Sequence, residues 1–424
     1  MPQSVVSRAL DQASELDRIL AEDRLRPAFQ PIVELDTGQV VAFEALARVH
    51  GASSLARPDL LFDAARREGR LVELDWACRL AAMRDAIAHG LRRPLFLNAE
   101  PDALGAPPPA DALGLIEEAE SRFQPVVELT ERELSDHPST LLDALPTIRR
   151  RGVGLALDDV GVEPRSLALM PLVDPDVIKL DLTLTQAPFS ADLADTVHAV
   201  NAHAERTGAF VLAEGIETTE HLLRARALGA THGQGWLFGK PGPLPAASRM
   251  LGPPLTLPTG GAEHDLGEGT PFETVAPLLD VREGPKKLLL TLSRQLEAHA
   301  ERLSSAGVLL STFQTAERFT GPTRARYARL SEELAFVGAL CEGLEHHVDR
   351  HVRGASLDPG ESLTTEWDVC VLGAHFAGAM VARDLGDAGP DMERRFMFGI
   401  TYDRELVVKI ARRLMRRLTP TRNR

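Results

Sequence analysis

The sequence predicts an α/β protein: a modified TIM (β/α)8 barrel first, then a smaller α/β domain. Three observations lead there. Short β-rich runs alternate with helix-period segments from Phe29 to Gly235, and nearly every run ends in a polar side chain of ligating type. After about residue 250 the composition breaks into a Gly- and Pro-rich stretch. In a barrel of this kind the strand ends converge on one face, where such side chains meet.

The runs follow in order. Phe29-Gln30-Pro31-Ile32-Val33 leads through Gly38 to Val40-Val41-Ala42-Phe43, which ends in Glu44-Ala45-Leu46. Pro94 to Leu97 ends in Asn98, Pro125 to Val127 in Glu128, and Val153 to Leu157 in Asp158-Asp159. Val177-Ile178-Lys179-Leu180 ends in Asp181, Phe210 to Ala213 in Glu214, and the segment after Gly229 leads to Gln234-Gly235. Leu71 to Gly90 and Asp192 to Thr207 have helical period. Ahead of the first strand, Leu10, Leu16, Ile19 and Leu20 predict an amphipathic helix packed on the barrel or on a second copy. An open doubly wound sheet ranks second, because no glycine-rich phosphate loop follows the first strand and a crevice ligand draws on fewer strands. For any single acid, a helix N-cap or a solvated loop is the commoner role. Recurrence at equivalent positions is what argues for a shared site.

Together these residues resemble the EAL domain, the phosphodiesterase module that linearises cyclic di-GMP, over about the first 245 residues. The matching motifs are Gln30-Pro31-Ile32-Val33, Glu44-Ala45-Leu46-Ala47-Arg48, Asn98, Glu128-Leu129-Thr130-Glu131, Asp158-Asp159, Lys179-Leu180-Asp181, Ala213-Glu214-Gly215-Ile216-Glu217, and Gln234-Gly235 with Phe238-Gly239-Lys240-Pro241. Singly each is weak; in this order they are specific. The resemblance implies one antiparallel strand in the barrel, a homodimer, and two Mg2+ or Mn2+ ions per active site. By it, Glu44, Asn98, Glu128 and Asp158 hold one ion, and Asp158, Asp159 and Glu214 hold the other. Lys179 lies beside the attacking water and Gln234 completes the hydrogen bonding there, so both count as catalytic with Glu44 and Glu214. Gln30, Leu46 and Arg48 contact the substrate, and Glu131, Asp181 and Glu217 orient loops and ligands from behind. The chemistry is coherent, since hard cations take oxygen ligands and can supply hydroxide near neutral pH. Without cations, such a cluster should hold its protons more tightly than usual. The plainer role of Lys179 is a salt bridge to Asp181, two residues along the same strand face, and of Arg48 a surface charge.

The chain departs from the family pattern after the paired aspartates. Asp158-Asp159-Val160-Gly161-Val162-Glu163-Pro164-Arg165-Ser166-Leu167 lacks the aromatic, the Thr and the second Gly of the usual Asp-Asp-Phe-Gly-Thr-Gly, and Pro164 stiffens the loop. Ala99-Glu100 follows Asn98 without the usual Ser, and Val49 stands where a Trp follows the arginine. The altered loop bears on turnover and regulation rather than on fold, and the other two changes are tolerable. The loop makes a second class of function worth carrying: a cyclic di-GMP receptor of weak or no activity.

Composition narrows the partners. A chain of 424 residues that is 44% hydrophobic can bury two sizeable cores. Its formal net charge of −14 argues against a groove that tracks nucleic acid, while bound cations can still recruit an anionic dinucleotide. Cys78, Cys341 and Cys370 are scattered, which fits reduced thiols in a cytoplasm and excludes a disulfide framework. No apolar run approaches the roughly 20 residues of a membrane helix, and Met1 to Glu22 lacks signal-peptide features, so a cytoplasmic protein off the membrane is expected.

The expected domains are 1–250 for the barrel, 251–284 for a linker and 285–424 for the second domain. Leu251 to Phe272 is too rich in Gly and Pro for regular structure to be expected. Beyond it, Lys286 to Arg302 reads as helix, Val308 to Gln314 as strand and Pro322 to Leu340 as helix. Trp367 to Leu372 and Arg395 to Thr401 read as strands, with Ala374 to Leu385 and Asp403 to Arg417 as helices. This part, about 285 to 418, resembles the DICT sensory domain through Leu292 to Glu297, Thr312-Phe313-Gln314, Arg318-Phe319-Thr320, Arg326-Tyr327, Glu366-Trp367, Ala382 to Leu385 and Arg394-Arg395-Phe396 with Tyr402-Asp403. The resemblance names no ligand. Phe313, Tyr327, Trp367 and Phe376 are candidates to line a pocket, though buried aromatics are more often core. His346, His347 and His351 read as a solvated polar face before a metal site, and the basic C-terminal helix end as dipole complementarity.

Overall fold

The computed structural model describes residues 14–130, 138–162, 167–188, 190–245, 251–258, 269–345, 348–349 and 351–418. Eight strands close a barrel: β1 (Leu25–Glu34), β2 (Val40–Val49), β3 (Leu95–Asn98), β4 (Pro125–Thr130), β5 (Gly154–Val160), β6 (Val177–Leu180), β7 (Phe210–Ala213) and β8 (His232–Gly233). β1 runs antiparallel to both β2 and β8, and the other neighbours pair in parallel. Ahead of β1, the helix Glu15–Ala21 is capped by Ser14 and buries Leu16 and Ile19 against Leu25, Leu61 and Leu74; Leu10 lies outside the described residues.

Strand alternation sets the barrel interior. Ala42, Phe96, Val126, Ala156, Val177 and Leu212 form one apolar layer, closed from below by Leu255 and Leu257. A Cβ on Gly154 would approach Leu257 Cδ1 to 2.3 Å, so the glycine leaves the room into which the Leu257 side chain packs. Side chains repeat every second residue along a strand. Two positions beyond those six apolar residues stand Glu44, Asn98, Glu128, Asp158, Lys179 and Glu214. One period therefore places both the floor and the functional layer above it.

The second domain is a seven-stranded sheet of order β12-β11-β10-β13-β14-β15-β9. Its strands are β9 (Arg282–Pro285), β10 (Gly307–Thr315), β11 (Phe336–Glu342), β12 (Val352–Leu357), β13 (Val369–Gly373), β14 (Ala377–Asp384) and β15 (Arg395–Thr401). Helices Lys286–Leu303 and Gly321–Glu333 cover one face through Leu289, Leu296, Tyr327 and Leu330. Helix Arg404–Met415 covers the other face through Val407, Ile410 and Leu414, and the same apolar cluster continues into the barrel. There the buried Arg412 guanidinium donates to the carbonyls of Leu172 (2.8 Å) and Pro171 (3.4 Å), and Arg416 pairs with Asp143 at 2.7 Å. Among the described residues no helix is long and apolar enough to cross a membrane.

Three readings of the sequence need correction here. Ala374 to Leu385 is not a helix: Ala377–Asp384 is β14, hydrogen-bonded on both sides, and Ala379 to Ala382 are all buried. Pairing on two edges overrides the helical preference of alanine and methionine. The helix expected to reach Leu340 ends at Glu333, and the apolar run Phe336–Glu342 is β11, parallel to β10. Finally, the 251–284 segment is partly ordered. Besides seating Leu255 and Leu257, it forms the helix Pro271–Val275, with a Thr270–Glu273 capping box, and begins β9. His346 and His347 lie outside the described residues, and His351 sits in a bend before β12.

Candidate metal centre and substrate cavity

Lys179 is fully buried at the barrel mouth, with its Nζ 2.7 Å from Glu128, 2.9 Å from Asp158, 2.9 Å from Glu214 and 3.8 Å from Glu44. The four acids come from four different strands or strand ends, and Asn98, on a fifth, donates from Nδ2 to Glu44 Oε1 at 3.4 Å. Gln234 donates from Nε2 both to Glu44 Oε2 and, at 3.0 Å, to Gln30 Oε1. Gln30 donates in turn to the Gly239 carbonyl at 3.3 Å. The chain after Gln234 passes so close to Ile216 that a Cβ on Gly235 would lie 2.2 Å from its carbonyl oxygen, and this approach fixes the glutamine.

Asp159 turns the backbone out of β5 in the left-handed region, at φ 56°, and its N–H donates to Asp158 Oδ1 at 2.9 Å. Oxygens of Asp158, Asp159 and Glu214 all lie within 4.8 Å of one another. One ammonium among so many acids leaves excess negative charge. Burial holds the Glu128 carboxyl well above the usual range, with Glu44 and Asp158 adding to the effect against Lys179. Burial likewise lifts Glu214 to about 8, opposed by Lys179, and Asp159 to about 6, with the charge of Asp158 adding. Lys179 is held charged: burial opposes its ammonium, and the four carboxylates more than offset that.

The donors fit hard divalent cations. They are all oxygens except for the nitrogen atoms of Lys179 and the two amides, and Glu128 Oε2 and Gln234 Oε1 are buried with no hydrogen-bond partner among the described residues. Beside the ring opens a cavity of about 570 Å³, lined among others by Leu46, Arg48, Asn98, Glu128 and Asp159. Arg48 donates to the Ala47 carbonyl at 2.8 Å.

Other candidates lie elsewhere. Asp181 makes no ion pair with Lys179; it caps helix Leu182–Gln186 by accepting the Thr183 N–H at 2.8 Å, because β6 has already ended. Glu217 is exposed, and its N–H meets His221 Nδ1 at 3.3 Å. Glu131 lies outside the described residues. Two residues escaped the sequence reading. Asp75 Oδ1 accepts the Glu100 N–H at 2.9 Å, two residues beyond Asn98, and pairs with Arg79 at 2.5 Å; both acid and base are buried and line the cavity. An acid and a base four apart on the buried face of helix Leu71–Ala88 were the available signal.

Comparison with known proteins gives two family matches. The EAL domain model matches residues 11–241, and the model of the sensory domain in diguanylate cyclases and two-component systems, DICT, matches residues 277–385. The cyclic di-GMP phosphodiesterase NbdA of Pseudomonas aeruginosa is 30% identical over 260 residues, covering 58% of this chain and 32% of that protein. The cyclic di-GMP phosphodiesterase RocR of the same species is 29% identical over 254 residues, 57% of this chain and 64% of that one. The chain thus spans between about a third and two thirds of these relatives. Among solved structures, the manganese/cyclic di-GMP complex of Klebsiella pneumoniae BlrP1 is 29% identical, covers 51% of this chain and 56% of that one, and aligns with a TM-score of 0.44.

Proposed function

The chain belongs to the EAL domain family, and we propose that its barrel hydrolyses cyclic di-GMP to linear pGpG with two Mg2+ or Mn2+ ions, under the control of the C-terminal DICT domain. The observation that carries this reading is the ring of Glu44, Glu128, Asp158 and Glu214 about the buried Lys179, with Asp159 at its edge. A pure receptor has no need of so complete a set of acids. The names of the relatives support the choice of substrate.

Glu44, Asn98, Glu128 and Asp158 would hold one cation, and Asp158, Asp159 and Glu214 the second. Bound there, the ions would neutralise phosphate charge and supply hydroxide near neutral pH. Lys179 donates from its ammonium toward the attacking water and stabilises charge gathering on the phosphate. Gln234, fixed by Glu44 and Gln30, holds the hydrogen bonding of the mouth in one arrangement. Arg48 faces the cavity, where its planar guanidinium suits the second phosphate, and Leu46 beside it shields the site from water. Asp75 keeps the backbone after Asn98 in place. Homodimerisation and a cytoplasmic location belong to the same reading.

The test incubates purified protein with cyclic di-GMP and each metal in turn and separates the products. Appearance of pGpG that depends on Mg2+ or Mn2+ is expected. Tight binding without pGpG would sink the enzyme and move the barrel to the receptor class. The loop Val160 to Pro164 gives that class its best support, and its Val162 is exposed.

A further inference from the structure

The C-terminal domain holds a cavity of about 750 Å³ that the barrel chemistry does not use. Its size suits a small organic ligand. The floor is aromatic: Phe313, Trp367 and Phe396 face it, with Trp367 and Phe396 packed edge to face at 5.9 Å between centroids. Tyr327 is fully buried beneath Phe313 as core, and Phe376 stacks on His299 instead, so of the four aromatics picked out in the sequence only Phe313 and Trp367 reach the cavity.

The wall is polar and unevenly charged. Lys286, Arg294, Arg318 and Arg326 face Glu297, Glu317 and Asp391, an excess of one positive charge. Most of this charge is already paired. Glu297, itself buried, pairs with Arg326 at 2.6 Å and accepts the Tyr327 hydroxyl at 3.2 Å. Asp391 bridges Lys286 and Arg318. Arg294 has no partner among the described residues and stands exposed at the rim. A ligand's anion can reach this guanidinium without breaking an existing ion pair.

The backbone adds an independent sign. Gln314, a cavity residue, has φ 63°, and the β10–β11 register slips around it between Thr312 and Thr315. A non-glycine residue there is strained, and such strain gathers at ligand sites. Its amide is nonetheless pinned, donating to Thr365 O at 3.4 Å and Asp384 Oδ2 at 3.2 Å.

We propose that this cavity binds a planar aromatic anion, with its ring against Trp367 and Phe313 and its anionic group on Arg294. The site lies next to the residues that anchor the helix Pro271–Val275. Glu366 and Asp368 flank Trp367, and Glu366 accepts the Phe272 N–H at 3.1 Å.

The test titrates the full chain with 1-naphthoate, indole-3-carboxylate and 8-anilinonaphthalene-1-sulfonate, following tryptophan fluorescence and heat. At least one should bind saturably with one site per chain. Its affinity should fall about fivefold or more in Arg294→Ala, and equally when 1-naphthamide replaces 1-naphthoate. Arg294 is exposed, so that variant should keep its thermal midpoint, and Trp236→Phe should bind as the parent does. No saturable binding by any of the three, equal binding of the amide, or binding indifferent to Arg294→Ala would each overturn the proposal. None of these readouts depends on phosphodiesterase activity.

Discussion

Among the described residues, buried carboxyl groups gather at the barrel mouth and again in the second domain, and the two clusters differ in what satisfies them. At the mouth, Glu44, Glu128, Asp158 and Glu214 share one ammonium, and Glu128 keeps a buried oxygen unpaired. In the second domain, Glu366 is fully buried but saturated: Thr270 Oγ1 donates to Oε1, Arg383 pairs with the same oxygen at 2.9 Å, and Phe272 N–H donates to Oε2. Its neighbour Asp368 leaves one oxygen unpaired, and burial, with the charge of Glu366 adding, holds its carboxyl well above the usual range. Buried acids alone therefore do not mark a metal site. What sets the mouth apart is that four acids there share one ammonium, and each cluster can be disturbed without touching the other.

The largest effect belongs to Lys179. Lys179→Met should lower turnover of cyclic di-GMP by about a thousandfold or more, roughly 4 kcal/mol on the barrier, with the circular dichroism unchanged in Mg2+. Glu44→Ala should do the same. Retention of a tenth of the parent rate by either variant would remove the ring from the mechanism. Next comes the cation itself. Mg2+ at a hundred times its dissociation constant should stabilise the chain by about 3 kcal/mol, read as a raised thermal midpoint that EDTA reverses. Asp158→Asn should lose most of that rise, whereas Glu366→Gln should keep all of it.

Glu366→Gln should instead cost about 2 kcal/mol in urea unfolding whether or not metal is present, because Arg383 loses its buried counter-ion and the helix Pro271–Val275 loses part of its anchor. An Mg2+-dependent change in this variant would mean that the two clusters communicate.

The two clusters were not equally legible. Glu44, Asn98, Glu128, Asp158, Lys179 and Glu214 were readable because each follows an apolar barrel residue by one strand period, and a period needs no tertiary knowledge. The barrel and one antiparallel strand followed from the motifs and the family resemblance that they carry, and the structure shows that strand to be β1. The salt bridge of Asp181 to Lys179 did not form because the strand ends at Leu180 and Asp181 caps the helix that follows. Asp75 and Arg79 were passed over because the backbone that Asp75 holds, at Glu100, lies on another segment of the chain. The second domain was harder still. β14 has the composition of a helix, and only its pairing with β13 and β15 makes it a strand. The linker's ordered part depends on Glu366 and Arg383, about a hundred residues away.

Asp368 gives the smallest effect and the sharpest contrast. Its folded pKa is raised, so the fold favours the protonated carboxyl: the stabilisation is complete below the unfolded value near 3.8 and drains away as pH rises toward the folded value. Burial first and then Glu366 push the folded value up, while Thr312 Oγ1, at 3.3 Å from Oδ2, and Arg383 pull it down. Asp368→Asn, which cannot ionise, should therefore lose about 1 kcal/mol less than the parent for each pH unit across the lower part of that window, measured by urea unfolding in EDTA. The barrel acids titrate identically in both proteins and cancel in the difference. Parallel pH profiles would mean that Asp368 is ionised in the folded domain, and that its cluster, like the barrel's, has charge still to be neutralised.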